Sequence, residues 1–541
     1  MLKIFPRLVL LAILFTCLTQ TDLFGQYKKI YAVDTGIVRE PNLFSATKVL
    51  ETNLPGRSIS ISGTLNIMDT SNFSHQSIYH MMTDLHGNPS DFHLFEDSSA
   101  FLFQGPRGYS ACYDGNGSFY FAIGTNNRQV IFKTDSDGNL DWSYAANHHE
   151  HFSILCEDNG AVFLGQDESI QGAHDFSLGR IDSNGVAPMG LMYGTEDFEQ
   201  PNMVIRSGDH YLMAGSSFKL AGYYLMIVKT DLDFQPIWGR VAKAPTKDLN
   251  CHAVATAKDG SGFLFTGRAR GGADSLFVMK TDTAGNTLWL KLYNIGSGTE
   301  VYNSGLTVVP STGDYIISGS YRGVQYLRPY LMCIDPAGNI KWLRDYGEPG
   351  INTDETLNDV IYNSLDDYLY AVGDYVKVDS NNQVTYRIIS VKVDPSDGLT
   401  TCDSALTSTS TDLSLEFDLP VVTEPFMANT TYPFGATLDL TSSVQTRCSV
   451  IVKVEEPVEN VMDFNILNPS NGILHFAAEV PEDGGQLKVY DLSGMMVFEK
   501  QYKAGFQKES IPLQYLSSGI YLVTFSGEEW RSPAKRWVIL K

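Results

Sequence analysis

Histidine and carboxylate side chains are the groups that most often bind metal ions or transfer protons, and one short run concentrates them. The run reads Asn147-His148-His149-Glu150-His151. Its three imidazoles and one carboxylate are suitable ligands for Zn²⁺ or Cu²⁺. Adjacent residues of one loop rarely point at one ion, however, and the run lacks the HExxH helix pattern. It therefore predicts a solvated polar loop and no metal site, and His148, His149, Glu150 and His151 remain candidates for ligand binding.

A second run, from Asp135 to Asp141, carries several oxygen ligands of the kind that Ca²⁺ prefers. An EF-hand loop has Gly at its sixth position and a distal Glu, whereas Gly138 is fourth in this run. The run is better explained as a tight turn with additional acidic residues. No cofactor is firmly implied, and calcium stays open as an alternative.

Motifs of known catalytic mechanism are missing from the chain. It has no Gly-x-Ser-x-Gly elbow, phosphate-binding loop or dinucleotide fingerprint. Acid pairs for glycoside chemistry cannot be recognised among 62 acidic residues without geometry. No catalytic residue is predicted, and the sequence favours a protein that is not an enzyme while leaving the question open.

The elements that would position these residues come from a repeat. Two of its clearest copies are Lys133–Trp142 and Lys280–Trp289, each containing Asp-x-x-Gly-Asn. The anchor aspartates, 47 to 59 residues apart, are Asp84, Asp135, Asp182, Asp231, Asp282, Asp335 and Asp394. A constant period near 50 residues indicates one supersecondary unit that packs against copies of itself.

Each repeat contains four short apolar runs, with the Asp-x-x-Gly-Asn turn before the last one. Seven copies predict an all-β chain with a seven-bladed β-propeller. The four tryptophans that follow their anchors by seven residues are expected to pack between blades: Trp142, Trp238, Trp289 and Trp342. The pattern resembles the KxDxxGNxxW propeller repeats of secreted bacterial proteins, which implies a scaffold and no particular activity.

The stretches between repeats differ most from one another, and they are acidic and polar with aromatic residues nearby. Tyr302 is one of these aromatic residues and is a further candidate for ligand binding. The mixture suits a neutral or cationic ligand, a glycan, or a loop of another protein.

The N-terminus and the charge restrict where the protein acts. Residues 1–25 resemble an export signal peptide. They have a basic start, a short apolar stretch and a small residue before the expected cleavage site. No later segment is long and apolar enough to form an integral membrane segment in the mature chain. With 39 basic and 62 acidic residues, the net charge of −23 argues against a nucleic-acid partner.

Six cysteines follow the signal peptide, and an exported protein can oxidise them. Cys402 and Cys448 bracket the aperiodic stretch 403–450, so the sequence predicts a disulfide between them. Cys112 and Cys156 begin successive repeats and are either neighbours or small core residues. Residues 403–450 would complete the propeller (26–450) through a closing strand, or would form a Ser/Thr-rich excursion.

Residues 451–460 are an acidic, Pro-containing linker, and residues 461–541 have the alternating strands of a small immunoglobulin-like β-sandwich. Four motifs stand in order in this tail: Asn468-Pro469-Ser-Asn-Gly472, Leu487-Lys-Val-Tyr490-Asp491-Leu-Ser-Gly494, Leu516-Ser-Ser-Gly519-Ile-Tyr521-Leu-Val523 and Val538-Ile-Leu-Lys541. They resemble the C-terminal sorting domain of the type IX secretion system of Bacteroidetes. The resemblance implies recognition by that machinery, removal of the tail by its sortase-like protease, and a secreted or outer-surface location.

These observations predict a secreted or cell-surface β-propeller that binds a glycan or protein ligand. Two alternatives remain: a secreted propeller enzyme that acts on polysaccharide or peptide, and a structural surface protein.

Overall fold

The structure is a computed structural model, and it divides by its contacts into two compact units, Tyr27–Cys448 and a second that contains Ser449–Lys541. The described residues are 26–34, 43–68, 74–95, 108–125, 128–146, 151–168, 174–186, 190–219, 222–296, 300–323, 325–348, 353–378, 384–400, 403–418, 422–426, 437–439, 441–450, 464–466, 471–481, 484–491, 496–526, 532 and 535–539. No helix among these residues is long and apolar enough to cross a membrane.

The first unit consists of antiparallel sheets whose strands follow one another along the chain. The chain enters through β1 (Gln26–Asp34). Sheet 1 contains β2 (Leu43–Leu54), β3 (Arg57–Met68), β4 (Ser74–Thr83) and β5 (Pro89–Phe95). Sheet 2 contains β6 (Gly108–Tyr113), β7 (Phe119–Thr125), β8 (Arg128–Thr134) and β9 (Leu140–Ala146). Sheet 3 contains β10 (His151–Glu157), β11 (Gly160–Glu168), β12 (His174–Asp182) and β13 (Gly190–Gly194).

Four more sheets complete the series. Sheet 4 contains β14 (Phe198–Ser207), β15 (His210–Lys219), β16 (Gly222–Asp231) and β17 (Pro236–Lys243). Sheet 5 contains β18 (Asp248–Thr256), β19 (Gly262–Arg270), β20 (Ser275–Asp282) and β21 (Thr287–Ile295). Sheet 6 contains β22 (Val301–Val308), β23 (Tyr315–Arg322), β24 (Leu327–Ile334) and β25 (Ile340–Asp345). Sheet 7 contains β26 (Thr353–Glu355), β27 (Asp359–Asn363), β28 (Tyr368–Val378) and β29 (Val384–Val393), with β1 paired to β29.

The first strands of neighbouring sheets contact one another in a closed cycle, in which β2, β6, β10, β14, β18, β22 and β27 follow in turn and β27 returns to β2. The faces between sheets are filled by buried apolar side chains. This arrangement of four-stranded sheets around a common axis is a β-propeller.

The aspartate turns form because each anchor carboxylate satisfies its own backbone. The Asp282 carboxylate accepts hydrogen bonds from the backbone N–H of Ala284 (2.9 Å) and of Asn286 (2.8 Å). Gly285 has φ of +80°, a conformation that a residue with a Cβ rarely adopts. The turn therefore connects the third and fourth strands of its sheet, as the sequence predicted.

The repeated tryptophans pack against the aspartate turn of the following sheet, which confirms their predicted place between blades. The indole N–H of Trp142 donates to the Ser183 carbonyl at 2.8 Å, and that of Trp342 donates to the Pro395 carbonyl at 3.0 Å. Gly185 and Gly398 of those turns lie so close to the indole rings that a Cβ would collide with them. Each turn thus joins two neighbouring sheets.

The ring closes where sheet 7 meets sheet 1. The N-terminal strand β1 supplies the outer strand of sheet 7, and its Tyr31 hydroxyl donates to the Gly87 carbonyl of sheet 1 at 2.9 Å. Beside β2, the first strand of sheet 1, Asp374 accepts hydrogen bonds from the backbone N–H of Ala46 (2.8 Å) and from Asn358 Nδ2 (3.1 Å). Burial raises the pKa of Asp374 to about 6.

The aperiodic stretch 403–450 follows the outside of the ring as a belt. Its strands are β30 (Ser404–Ala405), β31 (Ser408–Asp412), β32 (Glu416–Asp418), β33 (Val422–Phe426), β34 (Thr437–Asp439) and β35 (Thr441–Val450). They add an outermost strand to sheets 6, 5, 4, 3, 1 and 7 in that order, so the chain returns past sheets it has already built. The sequence left open a closing strand or a Ser/Thr-rich excursion, whereas the belt adds strands to six sheets.

A disulfide connects Cys112 on β6 with Cys156 on β10, and their Cα atoms are 5.6 Å apart. The pair left open by the sequence is therefore formed by neighbouring residues. Cys251 and Cys333 are free and buried, and burial raises the pKa of each thiol to about 12.

The predicted disulfide between Cys402 and Cys448 is not described by the structure. Cys402 lies outside the described residues, and Cys448 lies in β35 with its side chain outside them. This pairing remains a prediction.

The tail forms a separate small β-sandwich. Its strands are β36 (Phe464–Ile466), β37 (Ile473–Val480), β38 (Gly485–Tyr490), β39 (Met496–Tyr502), β40 (Gly505–Pro512), β41 (Gly519–Ser526) and β42 (Lys535–Ile539). Strands β36, β37 and β40 make one sheet, and β39, β38, β41 and β42 make the other. Trp537, Phe476 and Phe525 belong to the core of this domain.

The sorting motifs fall partly within the described tail. Gly472 is buried in the turn before β37, Tyr490 ends β38 and is followed by Asp491, and Gly519 and Tyr521 belong to β41. The motif residues that lie outside the described residues are Asn468, Pro469, Gly494 and Lys541.

Candidate ligand-binding site

The ring has two edges, and the aspartate turns lie on one of them. At the opposite edge, here called the upper rim, the first strand of each sheet begins and the hairpin between its second and third strands turns. In sheets 4 to 6 the upper rim includes Phe198, Asp248 and Val301, where first strands begin. It also includes the end of β15, the start of β16 and the hairpin tip 270–275. Rigid strands therefore end next to variable connections at this edge, as is typical of binding sites.

Four aromatic side chains form contacts across sheets 3 and 4 at the upper rim. The rings of His174 and Phe198 are 4.8 Å apart between centroids, and those of Phe218 and Tyr223 are 5.0 Å apart. Strand register places Phe198 beside Phe218, and Phe218 beside Tyr223. Phe198 is 41% exposed and Phe218 is 47% exposed, so this surface is both apolar and accessible to solvent.

Two arginines of β19 continue this surface into sheet 5. The Arg270 guanidinium lies 5.3 Å from the centroid of the Tyr223 ring, and the Arg268 guanidinium lies 4.4 Å from that of Tyr302. Arg270 therefore contacts a ring of sheet 4, whereas Arg268 contacts a ring of sheet 6. Arg268 is also held by Asp274, whose Oδ2 accepts its Nε–H at 2.7 Å.

Tyr302 lies at this surface, where the sequence placed a candidate ligand-binding residue. Its hydroxyl donates to Glu300 Oε2 at 3.0 Å, and Arg322 Nε donates to the same oxygen at 2.6 Å. These hydrogen bonds, that from Arg322 first, lower the pKa of Glu300. The cluster offers hydrogen-bond donors and acceptors around one half-buried aromatic ring.

Together these side chains form a continuous surface, here called the aromatic–arginine stripe, made of His174, Phe198, Phe218, Tyr223, Arg270, Arg268 and Tyr302. Of these seven residues, only Tyr302 was predicted from the sequence as a ligand-binding candidate. The other six are separated by up to 96 residues along the chain, and strand register and contacts between sheets bring them together. The signal available in the sequence was the pair of aromatic residues that flanks a hairpin tip, Phe218 and Tyr223.

A buried carboxyl group supports the stripe from below. Glu199 follows Phe198 and is fully buried, and its Oε1 accepts hydrogen bonds from the hydroxyls of Thr195 (2.6 Å) and Ser217 (3.0 Å). It also shares a hydrogen bond with Asp175, the residue after His174. Burial raises the pKa of Glu199. This group does not reach the surface, so it positions the His174–Phe198 pair rather than contacting a ligand.

The histidine run is only partly described. His148, His149 and Glu150 lie outside the described residues. His151 begins β10 and pairs with Gly165 through its backbone, and its side chain is not described. Among the side chains that the structure describes, no group of three His, Cys, Asp or Glu residues could hold a metal ion.

Asp135, the first residue of the calcium-like run, is used by its own turn. Its Oδ1 accepts the backbone N–H of Asp137 (2.9 Å) and of Asn139 (2.8 Å), and its Oδ2 accepts Asn139 Nδ2 at 2.9 Å. The structure thus gives this run the role of an aspartate turn.

Comparison with known proteins identifies the tail. Residues 468–540 match the family model of the secretion system C-terminal sorting domain. The chain thus carries a type IX C-terminal sorting domain behind its β-propeller, and this domain indicates secretion and a cell-surface location. No curated protein sequence matches the chain.

Solved structures similar to the chain are remote. The periplasmic gluconolactonase of Pseudomonas aeruginosa has a TM-score of 0.36 and 10% identity, over 71% of this chain and 99% of that one. The subtype N11 neuraminidase-like protein of a flat-faced bat influenza A virus has a TM-score of 0.34 and 11% identity, over 68% and 93%. PorZ, a surface component of the type IX secretion system of Porphyromonas gingivalis, has a TM-score of 0.32 and 8% identity, over 92% of this chain and 70% of that one. Because the similarity is so low, the activities of these proteins are not transferred to this chain.

Proposed function

We propose that the protein is a cell-surface binding protein that holds a glycan on the aromatic–arginine stripe. The observation that carries the proposal is the exposure of Phe198 and Phe218, which form ring contacts with His174 and Tyr223 on rigid strands. An apolar patch that a soluble protein leaves exposed usually marks an interaction site. The sorting domain delivers the propeller to the surface on which external glycans are met.

A glycan fits the stripe better than a compact hydrophobic ligand does. The aromatic rings are flat, have few torsions to immobilise, and lie along a rim rather than inside a closed pocket. Arg268, Glu300 and Arg322 place charged donors and acceptors beside the Tyr302 ring. Apolar faces next to directed hydrogen-bonding groups match a sugar ring, which has C–H faces and hydroxyl edges.

The proposal is tested by measuring glycan binding to the secreted protein, first on an array and then by calorimetry with the oligosaccharides retained. The double variant Phe198→Ala/Phe218→Ala should lose affinity by at least tenfold, because it removes the exposed rings. Leu288→Ala is the matched control, since Leu288 is 56% exposed but begins β21 beside an aspartate turn at the other edge. Failure to bind any glycan, or equal loss in the control, would contradict the proposal. Retention of a protein instead would indicate the other ligand class.

A further inference from the structure

We propose, on the basis of the glycan-binding role above, that Arg270 recognises an acidic group of the ligand, so that the ligand is a carboxylate- or sulfate-bearing glycan. Arg270 ends β19 at the upper rim, between the aromatic pairs of sheets 3 and 4 and the Tyr302 cluster of sheet 6. An anion bound there would lie beside the Tyr223 ring.

Arg270 differs from its neighbours in its lack of an acidic partner. Arg268 is paired with Asp274, Arg322 with Glu300 at 2.6 Å, and Arg328 with Asp345 at 2.5 Å. Within the described part of the chain, Arg270 forms no ion pair, and its Nε is buried without a hydrogen-bond acceptor. In a chain with a net charge of −23, an arginine without a carboxylate partner is unexpected.

The acidic residue opposite Arg270 in the sheet forms no ion pair with it. Asp248 is its cross-strand neighbour in the register of β18 and β19. The Asp248 carboxylate instead packs against Gly222 at the tip of the neighbouring hairpin, where a Cβ on that glycine would collide with it. Tyr223 follows Gly222 and holds the guanidinium by its ring at 5.3 Å. The side chain is thus positioned by stacking while its charge stays unneutralised.

A half-buried guanidinium without a partner has lost part of its hydration and gained no ion pair in return. A planar carboxylate or a sulfate of the ligand supplies the missing ion pair, because the guanidinium offers two parallel N–H donors to either group. The charge of the whole chain opposes such a ligand only weakly, since salt screens charges more than about 8–10 Å away. The contact with the Arg270 guanidinium therefore decides whether the protein prefers an acidic or a neutral glycan.

The test compares matched oligosaccharides that are neutral, contain a uronic acid, or carry a sulfate, with the secreted full-length protein. Wild type should bind one of the two acidic series at least tenfold more tightly than the neutral series. The series that is preferred shows whether the recognised group is a carboxylate or a sulfate. Arg270→Gln should abolish that preference, with a loss of affinity of roughly 10- to 100-fold for the acidic ligand that exceeds its effect on the neutral ligand. Arg270→Lys should retain part of the preference, because it keeps the charge but not the fork of donors.

Arg206→Gln is the control, because Arg206 is exposed near the far end of β14 and is paired with Glu157. Equal affinity for acidic and neutral glycans, or an acidic preference that survives Arg270→Gln, would overturn the assignment of Arg270 while the glycan-binding role stands. If no glycan of any series binds, the proposed function fails and this inference fails with it.

Discussion

Cys112 and Cys156 are joined by a disulfide that connects the first strand of sheet 2 with the first strand of sheet 3, across 44 residues of sequence. The bond joins the first strands of two sheets that also share an apolar core and the contact of Trp142 with the Ser183 carbonyl. It therefore restrains the opening of this interface directly.

Removing this disulfide should destabilise the propeller. Cys112→Ser/Cys156→Ser loses the restraint on a loop of this length, which corresponds to about 4 kcal/mol by the chain-entropy relation. Urea unfolding of wild type and variant checks the difference. Reductant should lower the stability of the wild type and leave the double variant unchanged, and equal stability of the two proteins without reductant would contradict the prediction.

Glu199 should make stability fall as the pH rises. Because burial raises its pKa in the folded protein, the folded state keeps its proton to a higher pH than the unfolded chain, whose Glu pKa is about 4.3. The stabilisation is full below that value and is lost as the pH rises through the folded pKa.

Glu199→Gln mimics the protonated carboxyl and should flatten this dependence, raising the melting temperature at pH 7 relative to wild type. Glu196→Gln is the matched control, because Glu196 is exposed three residues away. Melting temperatures measured from pH 4 to pH 8 test the pair, and a Glu199→Gln curve parallel to that of wild type would exclude the mechanism.

The belt should contribute to the stability of the ring. Leu413 follows β31, donates its backbone N–H to the Leu290 carbonyl at 3.1 Å, and packs against the core between sheets 4 and 5. Leu413→Asp should cost about 2 kcal/mol, because it places a charge against apolar surface. Ser410→Asp adds the same charge at an exposed belt position and should cost little. Denaturant titration of both variants makes the comparison, and equal effects would show that the belt is not packed as described.

Deleting residues 461–541 should leave a folded propeller that is not delivered to the cell surface. The sorting domain lies outside the unit Tyr27–Cys448, so the core of the ring does not depend on it. Fractionation of the native host, with circular dichroism of the retained protein, measures location and folding separately. Surface delivery of the truncated chain would show that export uses another signal.

The repeat was readable from the sequence because its determinants are local. Asp282 and Gly285 specify a turn within five residues, and Trp289 lies at a fixed distance from them. The sorting motifs of the tail are equally local, and strands between fixed turns leave few alternatives to antiparallel sheets. The fold class and the cellular location of the protein could therefore be derived from the amino-acid sequence alone.

The belt and the aromatic–arginine stripe were decided by the tertiary structure. Thr437 pairs with Phe95 although the two are more than 300 residues apart, and the belt strands β30 to β34, of two to five residues each, carry almost no periodic signal. Tyr223 meets Arg270 only because sheet 4 packs against sheet 5, and Phe198 lies beside Phe218 only because of strand register. Register and ring closure depend on the sum of many packing contacts, so the sequence names the parts of the site but not which of them become neighbours.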